Sequence, residues 1–243
     1  MTDQNFLTAI QDSFKRFIET GNSRSTAKLK PLHGFIAQDI ANRLGDNYII
    51  KSQGYGDDKE ARVKGFIKDK MVDITIKDKN TNKPIAGIAV KFVMQNYKQN
   101  ASNYVENMMG ETSNIRLAGI PYFHVFIVFD KVPYFKRGGK ISHWEILNAH
   151  NLKPYLTLSN LDPNEDKYNF VADKTLLYVI HTEQEPDVEE VTTKKKYIEH
   201  YLNKGTELEL SKNEYPHFNP DGNVVFNNYE KFINEVHDIA SKQ

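Results

Sequence analysis

Residues 71–115, MVDITIKDKNTNKPIAGIAVKFVMQNYKQNASNYVENMMGETSNI, set the reading of the whole chain. From Met71 to Lys77 the apolar Val72, Ile74 and Ile76 alternate with Asp73, Thr75 and Lys77. That period of two predicts a half-buried strand. Asp78 to Pro84 supplies turn chemistry. A second strand is predicted over Ile85 to Met94, where Lys91 is the single charge. The pair makes a hairpin that carries Asp73 and Lys91, 18 positions apart. Beyond it, Ala101, Tyr104, Val105, Met108, Thr112 and Ile115 recur at helical spacing and predict a helix over 101–117, capped by Asn100 or Ser102. At about 100° per residue, Glu111 shares the sheet-facing side with Tyr104, Met108 and Ile115, whereas Glu106 falls nearer the opposite side in an earlier turn. A carboxylate on an apolar stripe is costly unless it is paired or bound to metal. Solvation, or pairing with Lys98 and Arg116, is the plain alternative for both glutamates.

An acid and a lysine on paired strands suit phosphoryl chemistry: the acid holds a divalent cation, and the lysine polarises a phosphate or orients water. On Asp73 and Lys91 the chain resembles the PD-(D/E)XK nuclease superfamily, type II restriction endonucleases most of all. In Ala89-Val90-Lys91, alanine stands where that family has its second carboxylate. Either Ala89 replaces a catalytic acid, or the acid has moved to the following helix, as in a subgroup of these enzymes. The second explanation is preferred. Glu106, after 14 intervening residues, fits that subgroup's spacing, while Glu111 fits the facing.

The resemblance implies an α/β (α+β) fold with a restriction-endonuclease-like core and a mixed central sheet. It implies Mg²⁺ held by Asp73, a helix glutamate (Glu106 or Glu111) and the backbone carbonyl of Val90, with Lys91 activating water. It further implies hydrolysis of double-stranded DNA at a specific sequence by a homodimer or tetramer. Glu60, in Glu-x-x-Val-x-Gly, is similar to an extra acid that such enzymes place upstream, although pairing with Arg62 or Lys64 explains it more plainly. The alternatives are a repair or CRISPR-type nuclease of the same superfamily and a catalytically inactive DNA-binding module.

At 243 residues, with 39% hydrophobic and 26% charged side chains, the chain has the composition of a globular protein. A single domain is expected, with a catalytic core over about 30–130 and residues 131–243 reserved for DNA recognition or dimerisation. No apolar run reaches the roughly 20 residues of a membrane span, and no signal-peptide core is apparent. Zero cysteines exclude disulfides and thiolate metal sites and fit a cytoplasmic setting. A net charge of +0 supplies no global attraction for nucleic acid, so DNA contact needs local basic faces. Candidates are the loop 22–30, with Arg24, Lys28 and Lys30; the loop Lys131 to Lys140, with Lys136 and Arg137; and Lys98. Each is also readable as ordinary solvated surface.

Helices are predicted over Phe6–Ile18 and Phe35–Leu44, a short helix opening at His143-Trp144-Glu145, one after Lys196 and one over Asn228–Ile239. Strands are predicted at Tyr48–Ile50, Tyr122–Phe129 (YFHVFIVF) and Leu176–Ile180. His124, inside the second of these, reads as a hydrogen-bonded core histidine.

Overall fold

A run in which every residue is apolar or paired must be covered on both faces, and Tyr122–Phe129 is buried throughout. In the computed structural model, which describes residues 1–22 and 26–243, this run is the central strand of a seven-stranded mixed sheet. The strands are β1 (Tyr48–Ser52), β2 (Ala61–Val63), β3 (Lys70–Val72), β4 (Ile74–Asp78), β5 (Pro84–Val93), β6 (Tyr122–Phe129), β7 (Lys131–Phe135), β8 (Ile141–Ile146), β9 (Lys174–Thr182), β10 (Leu208–Leu210) and β11 (Val224–Phe226). The helices are α1 (Asp3–Thr20), α2 (Lys30–Leu44), α3 (Tyr97–Arg116), α4 (Ala149–Ser159), α5 (Lys194–Lys204) and α6 (Tyr229–Ala240), with a short 3₁₀ turn at Thr26–Leu29.

The sheet order is β1-β4-β5-β6-β9-β10, and β11 lies along β9. β1, β4 and β5 run antiparallel, then β5, β6 and β9 run parallel. Helix α3 is the crossover that makes β5 and β6 parallel. Alternation along β6 separates the two faces. Phe123 meets Phe232 of α6 and Phe129 meets Phe14 of α1, whereas His124 bonds Thr112 of α3 and Phe126 meets Tyr104 of α3 and Tyr155 of α4. So α1 and α6 cover one face, and α3 and α4 the other. One apolar cluster runs from Phe6 to Ala240. Residues 131–243 therefore help complete the core, because β9 pairs directly with β6.

Three expectations need correction. The stretch Met71–Lys77 is not one strand: β3 pairs with β2, and the chain changes partner at Asp73 before β4 joins β1 and β5. Lys131–Lys140 is not a plain loop, since β7 and β8 form a hairpin. His143, Trp144 and Glu145 lie in β8, not at a helix start. Glu145 is buried and accepts from the Lys98 backbone N–H, so it serves the N-terminus of α3 from another element. With that support α3 begins at Tyr97, four residues before the expected start, behind Asn96 in the left-handed region. Among the described residues, no helix is long and apolar enough to cross a membrane.

Candidate active site

Asp73 occupies the break between β3 and β4, and its side chain continues the sheet pairing that its backbone abandons. Its Oδ2 accepts from the Val90 N–H at 2.7 Å, while its carbonyl accepts from the Ser52 hydroxyl at 2.8 Å. The carboxylate is thus fixed against the middle of β5. Ala89 and Lys91 flank Val90 and project to the α3 face, opposite His124 and Phe126 in the β5–β6 register.

The space between β5 and α3 is a cavity of about 260 Å³, lined by Asp73, Ala89, Lys91, Tyr104, Glu111 and Tyr122 among others. Lys91 is exposed, with its ammonium 5.0 Å from the centre of the Tyr104 ring, so it is not the buried core lysine that its apolar strand suggests. Glu111 is half-buried and ion-paired with Lys70 of β3, rather than with Lys98 or Arg116. Arg116 instead pairs with Asp173 at 3.1 Å. Glu106 is exposed and does not line this cavity. Of the two helix glutamates, the fold brings Glu111 to Asp73 and Lys91. His124 closes the cavity from β6, held by the Thr112 hydroxyl at 2.8 Å. Burial, with help from the charge of Lys70, drives its pKa down to about 3, so it is a neutral wall.

Burial is also the main influence on Asp73, raising its pKa from 3.8 to about 6. The Val90 N–H opposes this rise, the Glu111 carboxylate adds to it, and Lys70 and Lys91 oppose it. The buried Tyr122 hydroxyl, on the same wall, is pushed well above its usual range by burial and then by Glu111 and Asp73. Asp73 is thus a buried carboxylate whose ionised form is costly without a positive partner, a setting that a bound cation would relieve.

Asp73 has a second set of neighbours. One oxygen or nitrogen from each of His33, Glu60 and Asp73 lies within 4.8 Å of the others. His33 sits in the first turn of α2. Its position depends on glycine: a Cβ on Gly34 would lie 2.3 Å from the Gly54 carbonyl oxygen, and one on Gly54 would lie 2.1 Å from that of Lys30. Any side chain at either position would push α2 away from the segment leading to Glu60. Glu60 Oε1 accepts from the Gln53 amide at 2.8 Å. Its pKa is raised, first by burial and then by Asp73. Glu60 forms no ion pair with Arg62 or Lys64 among the described residues. His33 was not legible as a site residue, because its partners lie 27 and 40 positions away and no local motif marks it.

Of the basic candidates, Arg24 lies outside the described residues. Lys28 approaches the site: burial lowers its pKa, followed by the charges of Lys91 and Lys194. Lys194 is itself engaged, donating to the Gly21 carbonyl at 2.7 Å and lying over the Phe17 ring. Lys30 is taken by an ion pair with Asp58. Lys136 and Arg137 are exposed at the tip of the β7–β8 hairpin, and Lys98 is exposed at the start of α3. A separate polar centre, in which Asp130 accepts from Ser211 at 2.7 Å and meets His181 at 3.1 Å, joins β9 to the chain beyond β10. Ser211 bonds the aspartate and not the imidazole, so it does not form the serine–imidazole pair of a nucleophilic hydrolase. Comparison with protein-family models, with curated proteins and with solved structures gives no match.

Proposed function

We propose that the protein is a metal-dependent endonuclease hydrolysing phosphodiester bonds of double-stranded DNA. The observation that carries this reading is the meeting of Asp73 from the β3–β4 break, Lys91 from β5 and Glu111 from α3 around one cavity. Asp73 and Glu111 offer the hard oxygen donors that suit Mg²⁺, which characteristically takes one or two protein carboxylates and leaves room for water and phosphate. When bound, the cation would supply charge neutralisation at the phosphate and a more acidic water. Lys91 brings a positive charge to where the phosphate becomes more negative, and Lys28, close enough to feel the charge of Lys91, adds to the attraction for the DNA backbone. Tyr104 holds the Lys91 ammonium over its ring and limits its wandering.

Ala89 lines the cavity two residues before Lys91, where the resemblance calls for an acid, and Glu111 lies across from it on α3. This arrangement supports the transposed-acid reading with Glu111, not Glu106, in the role. Site-specific cleavage by a homodimer, as in type II restriction, rests on the resemblance. Digestion of phage DNA with Mg²⁺ and sequencing of the ends tests it. Discrete ends at one sequence are expected of a restriction enzyme, while scattered ends indicate a repair-type nuclease. DNA binding without any cleavage would indicate the inactive module that Ala89 also fits.

A further inference from the structure

We propose that His33, Glu60 and Asp73 form a second cation site, on the α2 side of Asp73, that takes a divalent transition ion of the Mn²⁺ or Co²⁺ class. Three atoms mutually within 4.8 Å have a common centre no more than about 2.8 Å from each. Coordination at roughly 2.0 to 2.2 Å then needs only sub-ångström side-chain adjustment.

The independent observation is the imidazole. His33 is 2% exposed, and neither of its ring nitrogens has a hydrogen-bond partner. Buried polar groups are paired in the great majority of cases, and an imidazole with both nitrogens unpaired is a costly exception. One of those nitrogens faces two carboxylates. Burial also keeps the ring neutral, with a pKa near 4, which is the form that ligates metal. The Gln53 amide fixes the orientation of Glu60, as outer partners of metal ligands do.

The chemistry of the donor set selects the ion. An imidazole with carboxylates suits Mn²⁺, Co²⁺, Fe²⁺ or Zn²⁺, whereas Mg²⁺ prefers oxygens throughout. Zero cysteines remove thiolate competition for these ions. Asp73 would then serve both sides, facing Glu111 through the cavity and His33 and Glu60 behind it. The site shares Asp73, and the upstream acid Glu60 of the resemblance, with the nuclease reading, while His33 is its own.

The test uses tag-free full-length protein and Mn²⁺ or Co²⁺ alone, without DNA. Electron spin-echo spectroscopy of bound Mn²⁺ should show nitrogen modulation from one directly coordinated imidazole, and His33→Gln should remove it. Because a buried change can disturb folding, Glu60→Gln is the near-isosteric companion. It should lower Co²⁺ affinity at least tenfold by calorimetry, with an unchanged circular dichroism spectrum. Glu111→Ala should leave the nitrogen signal in place, which separates this site from the one facing the cavity. Wild-type protein without nitrogen modulation, or Co²⁺ affinity unmoved by Glu60→Gln, overturns the proposal. A nuclease reading that fails would appear instead as absent cleavage with the nitrogen signal intact.

Discussion

Asp73→Asn should stabilise the metal-free protein at neutral pH while removing its function. Asp73 loses its proton at about pH 6 in the folded state and at 3.8 in the ordinary carboxyl range. Between those values the folded chain holds a proton that the unfolded chain has released, so stability falls as pH rises through the window. The full difference corresponds to up to about 3 kcal/mol, present at every pH above 6. Asparagine cannot ionise, yet its amide oxygen can still accept from the Val90 N–H. The two proteins should therefore be similar in stability near pH 4, and the variant should gain steadily to pH 7. Urea unfolding in EDTA, followed by the single tryptophan, Trp144, measures this. The contribution of His124 cancels in the difference, whereas Glu60, whose pKa Asp73 helps to raise, adds a smaller gain of the same sign to the variant. Adding Mn²⁺ should then raise the stability of wild type by about 2.7 kcal/mol at a hundredfold excess over its Kd, and leave the variant unmoved. A stability difference that is flat from pH 4 to 7, or a variant weaker than wild type at pH 7, would contradict the reading of Asp73 as a strained carboxylate awaiting a cation.

Restoring the acid at its expected strand position offers a swap. Ala89→Glu should recover cleavage in a Glu111→Ala background, measured on plasmid DNA, and failure there would mean that the two positions do not reach the same cation. Lys28→Ala should weaken DNA binding across all sequences and lower the salt slope by about one, and an unchanged slope would remove Lys28 from the phosphate path. Asn114→Ala should cost roughly 2 to 4 kcal/mol, because its amide takes the N–H groups of Ile67 and Lys68 and donates to the Lys68 carbonyl. A loss below about 0.5 kcal/mol in urea titration would show that the β2–β3 hairpin is not held by this residue.

The sheet was legible where burial dictates sequence. YFHVFIVF and LLYVI read as covered strands because nothing polar could be tolerated there unpaired, and β6 and β9 are those strands. The alternation around Asp73 was legible too, but not its break. Period-2 patterning reports which face is buried and is blind to which strand is the partner, so the transfer from β2 to β1 and β5 left no mark. The β7–β8 hairpin was hidden by Lys136, Arg137 and two glycines, which read as solvated loop. In the site, Asp73 and Lys91 were visible through their spacing, and Glu111 through its helical facing. Glu106 was favoured by distance along the chain, which a helix converts into angle, and the angle turned it to solvent. His33 depends on two glycines closing α2 against a distant loop, a contact that no local pattern encodes.

The most direct test of the proposed chemistry compares wild type with Lys91→Ala, Glu111→Ala and Glu106→Ala on supercoiled plasmid DNA in Mg²⁺, with folding verified by thermal unfolding. Wild type and Glu106→Ala should cut at comparable rates, since Glu106 is exposed outside the cavity, while Lys91→Ala and Glu111→Ala should each lose at least a hundredfold. Cleavage by Lys91→Ala at the wild-type rate, or loss confined to Glu106→Ala, would contradict the assignment of this cavity as the catalytic centre.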